Sequence, residues 1–115
     1  MKVNDIRVFI PSKDYEISQS FYQALGFSMQ AASDELSIFE NGQCTFFLQK
    51  YHNEEYANNL MFQLIVPDID AAFEVISGLE GFDIRYEPIK QEHWGQVVYL
   101  WGPAGELWHV TELKH

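Results

Sequence analysis

The chain has 115 residues, and its seventeen Asp and Glu against seven Lys and Arg give a formal net charge of -10. Its 47% hydrophobic and 16% aromatic content belongs to one folded domain, spanning 1–115, and not to a disordered tail. So negative a field repels phosphate backbones and anionic lipid, which excludes nucleic acid and membrane surfaces as expected partners, and it would concentrate a small cationic molecule.

No apolar run approaches the roughly 20 residues that cross a bilayer, and the start "MKVNDIRVF" has no apolar h-region, so a cytoplasmic address is expected. Cys44 is the sole cysteine, which rules out an internal disulfide and a thiolate zinc cluster.

In chain order, "NDIRVFIPSKD" alternates like a strand yet carries Arg7 among Ile6, Val8, Phe9 and Ile10. An arginine in a sheet needs a partner, either an acidic neighbour such as Glu106 or Glu112, or a ligand. Pro11 then makes a turn, and Ile17, Phe21 and Leu25 fall on one face of a helix that Gly26 ends. "FENGQCTFFLQK" reads as a hairpin through Asn41-Gly42. Within it Cys44 is expected to be a small buried hydrophobe, with no neighbouring cation to activate it.

"KYHNEEYANN" reads as a polar connector in which Glu54-Glu55 is a solvated charge run. A second unit follows: Pro67, Asp68 as N-cap, Ile69, Ala72, Phe73 and Ile76 at helical spacing, then Gly81 and Phe82, and finally a hairpin through Ala104-Gly105. Asp14 matches Asp68, and Gly26-Phe27 matches Gly81-Phe82, an offset of about 55 residues. The chain is therefore read as α+β, two βαβββ repeats covering about 5–50 and 60–113, with the connector at 51–59.

Two such halves, with "DYEISQSFYQALGF" after the first strand and "WGQVVYLWGPAGELWHVTEL" at the end, resemble the glyoxalase, bleomycin-resistance and extradiol-dioxygenase superfamily, the vicinal oxygen chelate proteins. The "PSKDYEISQSFYQALGF" and "WHV" stretches look most like the bleomycin-resistance group. The resemblance implies a cup-shaped mixed sheet and a homodimer whose subunits build two clefts together. Metal-dependent members place His, Gln or Glu on the first and last strands of each half. By count from Asp14, Asp68 and the Gly turns those positions fall here on Arg7, Phe46, Met61 and His109, of which only the imidazole can ligate a metal. His52 and His93 sit in polar loops.

The resemblance thus implies a small-molecule binding protein with no cofactor, no metal and no catalytic residue, sequestering a cationic or aromatic compound. The alternative is a metal-dependent glyoxalase-like lyase or dioxygenase. Arg7, Phe9, Phe46, Met61, Trp94, Tyr99, Trp101 and His109 are the expected ligand contacts. Tyr99 and Trp101 share a strand face, and Trp94 precedes Gly95 at a strand entry where an indole can wall a cleft.

Overall fold

A computed structural model describes residues 1–114. In the first half, β1 (Phe9–Ile10) leads through α1 (Tyr15–Leu25) to β2 (Ser28–Ser33), β3 (Leu36–Asn41) and β4 (Cys44–Gln49), which form a sheet in the order β1-β4-β3-β2. After α2 (Glu54–Asn59), the second half runs β5 (Met61–Ile65), α3 (Ile69–Ser77), β6 (Arg85–Tyr86), β7 (Lys90–Glu92), β8 (Gly95–Trp101) and β9 (Leu107–Leu113). Its sheet has the order β5-β9-β8-β6, with β7 also paired to β8. β1 and β4 are parallel, as are β5 and β9, and the other ladders are antiparallel.

The two halves therefore share one connectivity, and the expected α+β duplication is what the chain forms. β6 and β7 together hold the place that β2 holds in the first half. The break between them falls at Pro88, which has no N–H to give to a ladder.

Local chemistry explains the helices. The Asp14 side chain accepts from the Ile17 N–H at 3.1 Å, and Asp68 accepts from the Asp70 and Ala71 N–H groups at 3.0 and 3.2 Å, so the matched aspartates are matched N-caps. Gly26, at φ 123°, ends α1 in a conformation that L side chains avoid. The buried stripe of α1 is Ser18, Phe21 and Tyr22, and Ile17 turns outward at 40% exposure, because the stripe follows residues 18, 21, 22 and 25 rather than 17, 21 and 25.

Other readings shift in detail. α3 stops at Gly78, before Gly81. The first hairpin turns on Gly42-Gln43, since Asn41 and Cys44 are the last ladder pair. Cys44 is exposed at that hairpin, not buried. The connector is not wholly irregular: Asn53 Oδ1 accepts from the Tyr56 N–H at 2.9 Å and caps α2. β1 is also shorter than its alternation suggests, because ladder pairing starts where Val8 O accepts from Phe47 N–H. Among the described residues, no helix is long and apolar enough to cross a membrane.

One aromatic core joins the halves. The Tyr22 ring meets Phe27, Phe39, Phe46 and Trp108 with centroids 5.0–6.5 Å apart, mostly edge-on, so the α1 side of the first sheet and the α3 side of the second share a hub. Its hydroxyl donates to Glu106 Oε2 at 2.6 Å and accepts from Trp108 Nε1–H at 3.1 Å. Glu106, wholly buried, also accepts from the Ala104 N–H at 2.9 Å. Burial pushes its carboxyl above the usual carboxylate range despite those donors, and burial beside Glu106 pushes the Tyr22 phenol up as well.

Candidate functional site

Strand parity separates the core from a second face on each sheet. Phe46, Leu48, Val98, Leu100, Trp108 and Val110 point to the helices and belong to the core. Their neighbours in sequence point the other way. On the first sheet, register aligns Phe9, Phe47, Ile38 and Gln30 across the four strands, with Thr45 and Glu40 in the adjoining row. On the second, three rows run across β8, β9 and β5: Trp101–Leu107–Met61, Tyr99–His109–Gln63 and Val97–Thr111–Ile65. Val97 and Thr111 are fully buried yet lie outside the core cluster, while Met61 and Ile65 are 64% and 58% exposed, so this face has a closed floor and an open rim.

His109 occupies the middle of that face. Tyr99 meets its ring edge-on, with centroids 4.9 Å apart, and the Tyr99 and Trp101 rings lie 6.5 Å apart along β8. His109 Nε2 is buried and has no hydrogen-bond partner. Buried polar atoms are almost always partnered, so this one marks a place where a ligand atom or a water belongs. Arg85, paired in register with Trp101, lays its guanidinium 3.8 Å from the centroid of that indole.

The expected contacts fall into three groups. Met61, Tyr99, Trp101 and His109 share the face of the second sheet. Phe9 lies on the corresponding face of the first, stacked on Phe47 at 4.7 Å between centroids and 22° between planes. Arg7 has the same parity and sits 5.8 Å from the Phe47 ring, and its acidic partner is Asp5 at 3.2 Å, not Glu106 or Glu112.

Phe46 and Trp94 lie apart from these. Phe46 is in the core, 6% exposed and packed on Tyr22 and Phe27, because the ladder directs Phe47 to the other face. Trp94 precedes β8 at the end away from Trp101, about 20 Å along the strand. Sequence reasoning weighed Phe47 but chose Phe46, and it missed Gln63 and Arg85. "TFFLQ" is apolar at Phe46, Phe47 and Leu48 alike, so alternation cannot assign its parity; Gln63, in contrast, sits two residues after Met61 on the same strand face and could have been weighed by that period.

For a metal, the register brings two donors side by side, Gln63 and His109. The matching ladder pair in the first half is Phe9 and Phe47, which offer only hydrocarbon. A catalytic divalent ion wants about three N or O ligands and an open position, and this set falls short. Among the described residues no three His, Cys, Asp or Glu stand together as a cage. The donors do not fit a metal, and no chemistry is assigned to one.

No protein-family model matches the chain, and no curated protein matches it. Solved structures do. A bleomycin-binding protein from bleomycin-producing Streptomyces verticillus, complexed with copper(II)-bleomycin, superposes with a TM-score of 0.81 at 19% identity, covering 99% of both chains. An antibiotic binding protein from a Streptomyces species gives a TM-score of 0.82 at 17% identity, again over 99% of each chain. A fosfomycin resistance protein from Listeria monocytogenes, complexed with Mn(II) and sulfate, gives 0.80 at 13% identity over 99% of this chain and 93% of that one. With its paired βαβββ halves, the chain thus has the fold of the vicinal oxygen chelate superfamily, the one its sequence resembles.

Proposed function

We propose that the protein is a metal-free small-molecule binding protein of the bleomycin-resistance type, which sequesters a flat, cationic or aromatic compound without turning it over. The observation that carries this reading is the buried, unpartnered Nε2 of His109 at the centre of an aromatic face. A ligand donor or acceptor would satisfy that atom, Tyr99 and Trp101 would stack on the ligand's rings, and the charge of -10 would draw a cation toward it.

The chain is a slab of 42 × 41 × 26 Å whose second-sheet face is open at its rim, where Met61 and Ile65 are exposed, and a cleft needs a second wall. In the proposed homodimer, a second copy supplies that wall, and Phe9, Phe47 and Arg7 of one subunit would approach Tyr99, Trp101 and His109 of the other. Structures similar in fold include two whose bound or named ligands are antibiotics, which supports the ligand class.

Calorimetric titration with bleomycin and a panel of cationic aromatics tests the reading. Saturable binding that weakens as salt rises is expected. Absence of binding across the panel refutes it. Stoichiometric zinc, manganese, nickel or iron in the purified protein would instead favour the metal-dependent lyase or dioxygenase.

A further inference from the structure

A hollow of 560 Å³ lies at the Trp101 end of the second sheet. Its walls come from five stretches of chain: Lys13 ahead of α1, His52 in the connector, Glu54 and Asn58 on α2, 83–85 at the start of β6, and the 101–105 turn. These walls are pinned together. Ser12 N–H bonds to Tyr51 O at 2.9 Å and Ser12 Oγ donates to Gln49 O at 2.6 Å, which holds Lys13 beside His52. Any Cβ on Gly105 would come within 2.5 Å of Asn58 Oδ1, so α2 packs tightly on the turn. The turn is in turn held by the buried Glu106, which accepts from the Ala104 N–H.

The charges in this hollow run against the rest of the molecule. Two of the seven Lys and Arg, Lys13 and Arg85, line it, and neither is in an ion pair among the described residues. The Arg85 guanidinium carbon sits over the Trp101 ring, 3.8 Å from its centroid. A guanidinium held against an indole with no carboxylate partner keeps its N–H fork available, and such a fork grips a carboxylate or phosphate through two parallel bonds. Glu54 and Asp83 stand in the same walls and disfavour a ligand of high negative charge, but they can accept from hydroxyl or amino groups.

We propose that this hollow is a second binding site, for a small organic anion that carries one carboxylate or phosphate together with hydroxyl or amino donors. Arg85 binds the anionic group, Lys13 adds to its neutralisation, and Glu54 and Asp83 take the donors. The volume falls within the range of about 300–1,000 Å³ typical of ligand pockets. The site shares Trp101 with the proposed cationic site but uses neither Tyr99 nor His109, so loss of anion binding in Arg85→Ala and loss of cation binding in His109→Phe are separable outcomes.

The test is a ¹H–¹⁵N NMR titration of the full chain with glycerate and with glycerol 3-phosphate, using glycerol and choline as neutral and cationic controls. Saturable shifts at the Trp101 indole N–H and at the Gly102 and Gly105 amides are expected with at least one of the two anions, and none with the controls. Arg85→Ala should weaken the binding by about tenfold or more, and Arg85→Lys, which keeps the charge but loses the fork, by nearly as much. Unchanged dispersion of the core amides checks that each variant is folded. The proposal is overturned if neither anion gives saturable shifts, if the shifts spread over all basic residues, or if folded Arg85→Ala binds as the parent does.

Discussion

Replacing Tyr22 by Phe removes one oxygen from the centre of the core and leaves every ring contact in place. Two hydrogen bonds go with it, the donation to Glu106 at 2.6 Å and the acceptance from Trp108 at 3.1 Å. Tyr22 and Glu106 are wholly buried and Trp108 is nearly so, which means that water does not take over either role. An orphaned buried indole N–H costs about 1–3 kcal/mol, and a buried carboxyl stripped of a donor costs at least as much. Allowing for relaxation, the expected loss is about 2–4 kcal/mol.

For a chain of this length the unfolding entropy is about 0.24 kcal/mol per kelvin, so Tm should fall by about 8–16 °C. Urea unfolding followed by tryptophan emission at neutral pH measures the loss directly. A double-mutant cycle with Glu106→Gln then shows how much of it passes through the carboxyl. A loss below about 0.5 kcal/mol, or no coupling in the cycle, would refute the claim that this hydroxyl ties the halves together.

Further outcomes follow from the same geometry. The Glu106 carboxyl has a raised folded-state pKa, so its contribution to stability is greatest below the unfolded value of 4.5 and declines as pH rises from there through the folded value; Glu106→Gln should flatten that slope in pH-dependent urea titrations. Phe46→Ala should cost about 3–5 kcal/mol as a core truncation, while Phe47→Ala, on the opposite face, should cost much less and lower ligand affinity instead, as thermal melts and calorimetry would show. His109→Phe should leave Tm unchanged or slightly raised, because a buried unpartnered nitrogen is removed, yet weaken ligand binding about tenfold. Gly95→Ala would place a Cβ 2.3 Å from the Glu112 carbonyl oxygen at φ 153°, and a loss of about 2–4 kcal/mol is expected in the same melts.

The duplication was legible because its signals are local. Asp14 and Asp68 cap helices by reaching two or three residues ahead, and the glycines after them force turns, so both halves declare themselves without any long-range contact. The site was less so. Which residues share a face with His109 depends on a parallel ladder, β5 on β9, whose register is set by packing of distant segments and not by any turn between them. Counting from Asp68 selected Met61, and the ladder places Gln63 beside His109. Trp94 and Trp101 cluster in sequence, but the six residues of β8 between them hold them at opposite ends of the strand. Glu106 drew notice only as an acidic neighbour for Arg7, since a carboxylate in a polar-looking turn gives no hint that a tyrosine from 84 positions earlier will seal it from water.

The outer margins of both sheets are irregular. β2 slips register between Ala31 and Ser33, and the strand opposite is cut at Pro88. Neither of these two margins offers a straight run of free amide and carbonyl groups on which a foreign strand could extend the sheet, which protects them against strand addition. A Pro88→Thr exchange that mended the cut would trade away that protection.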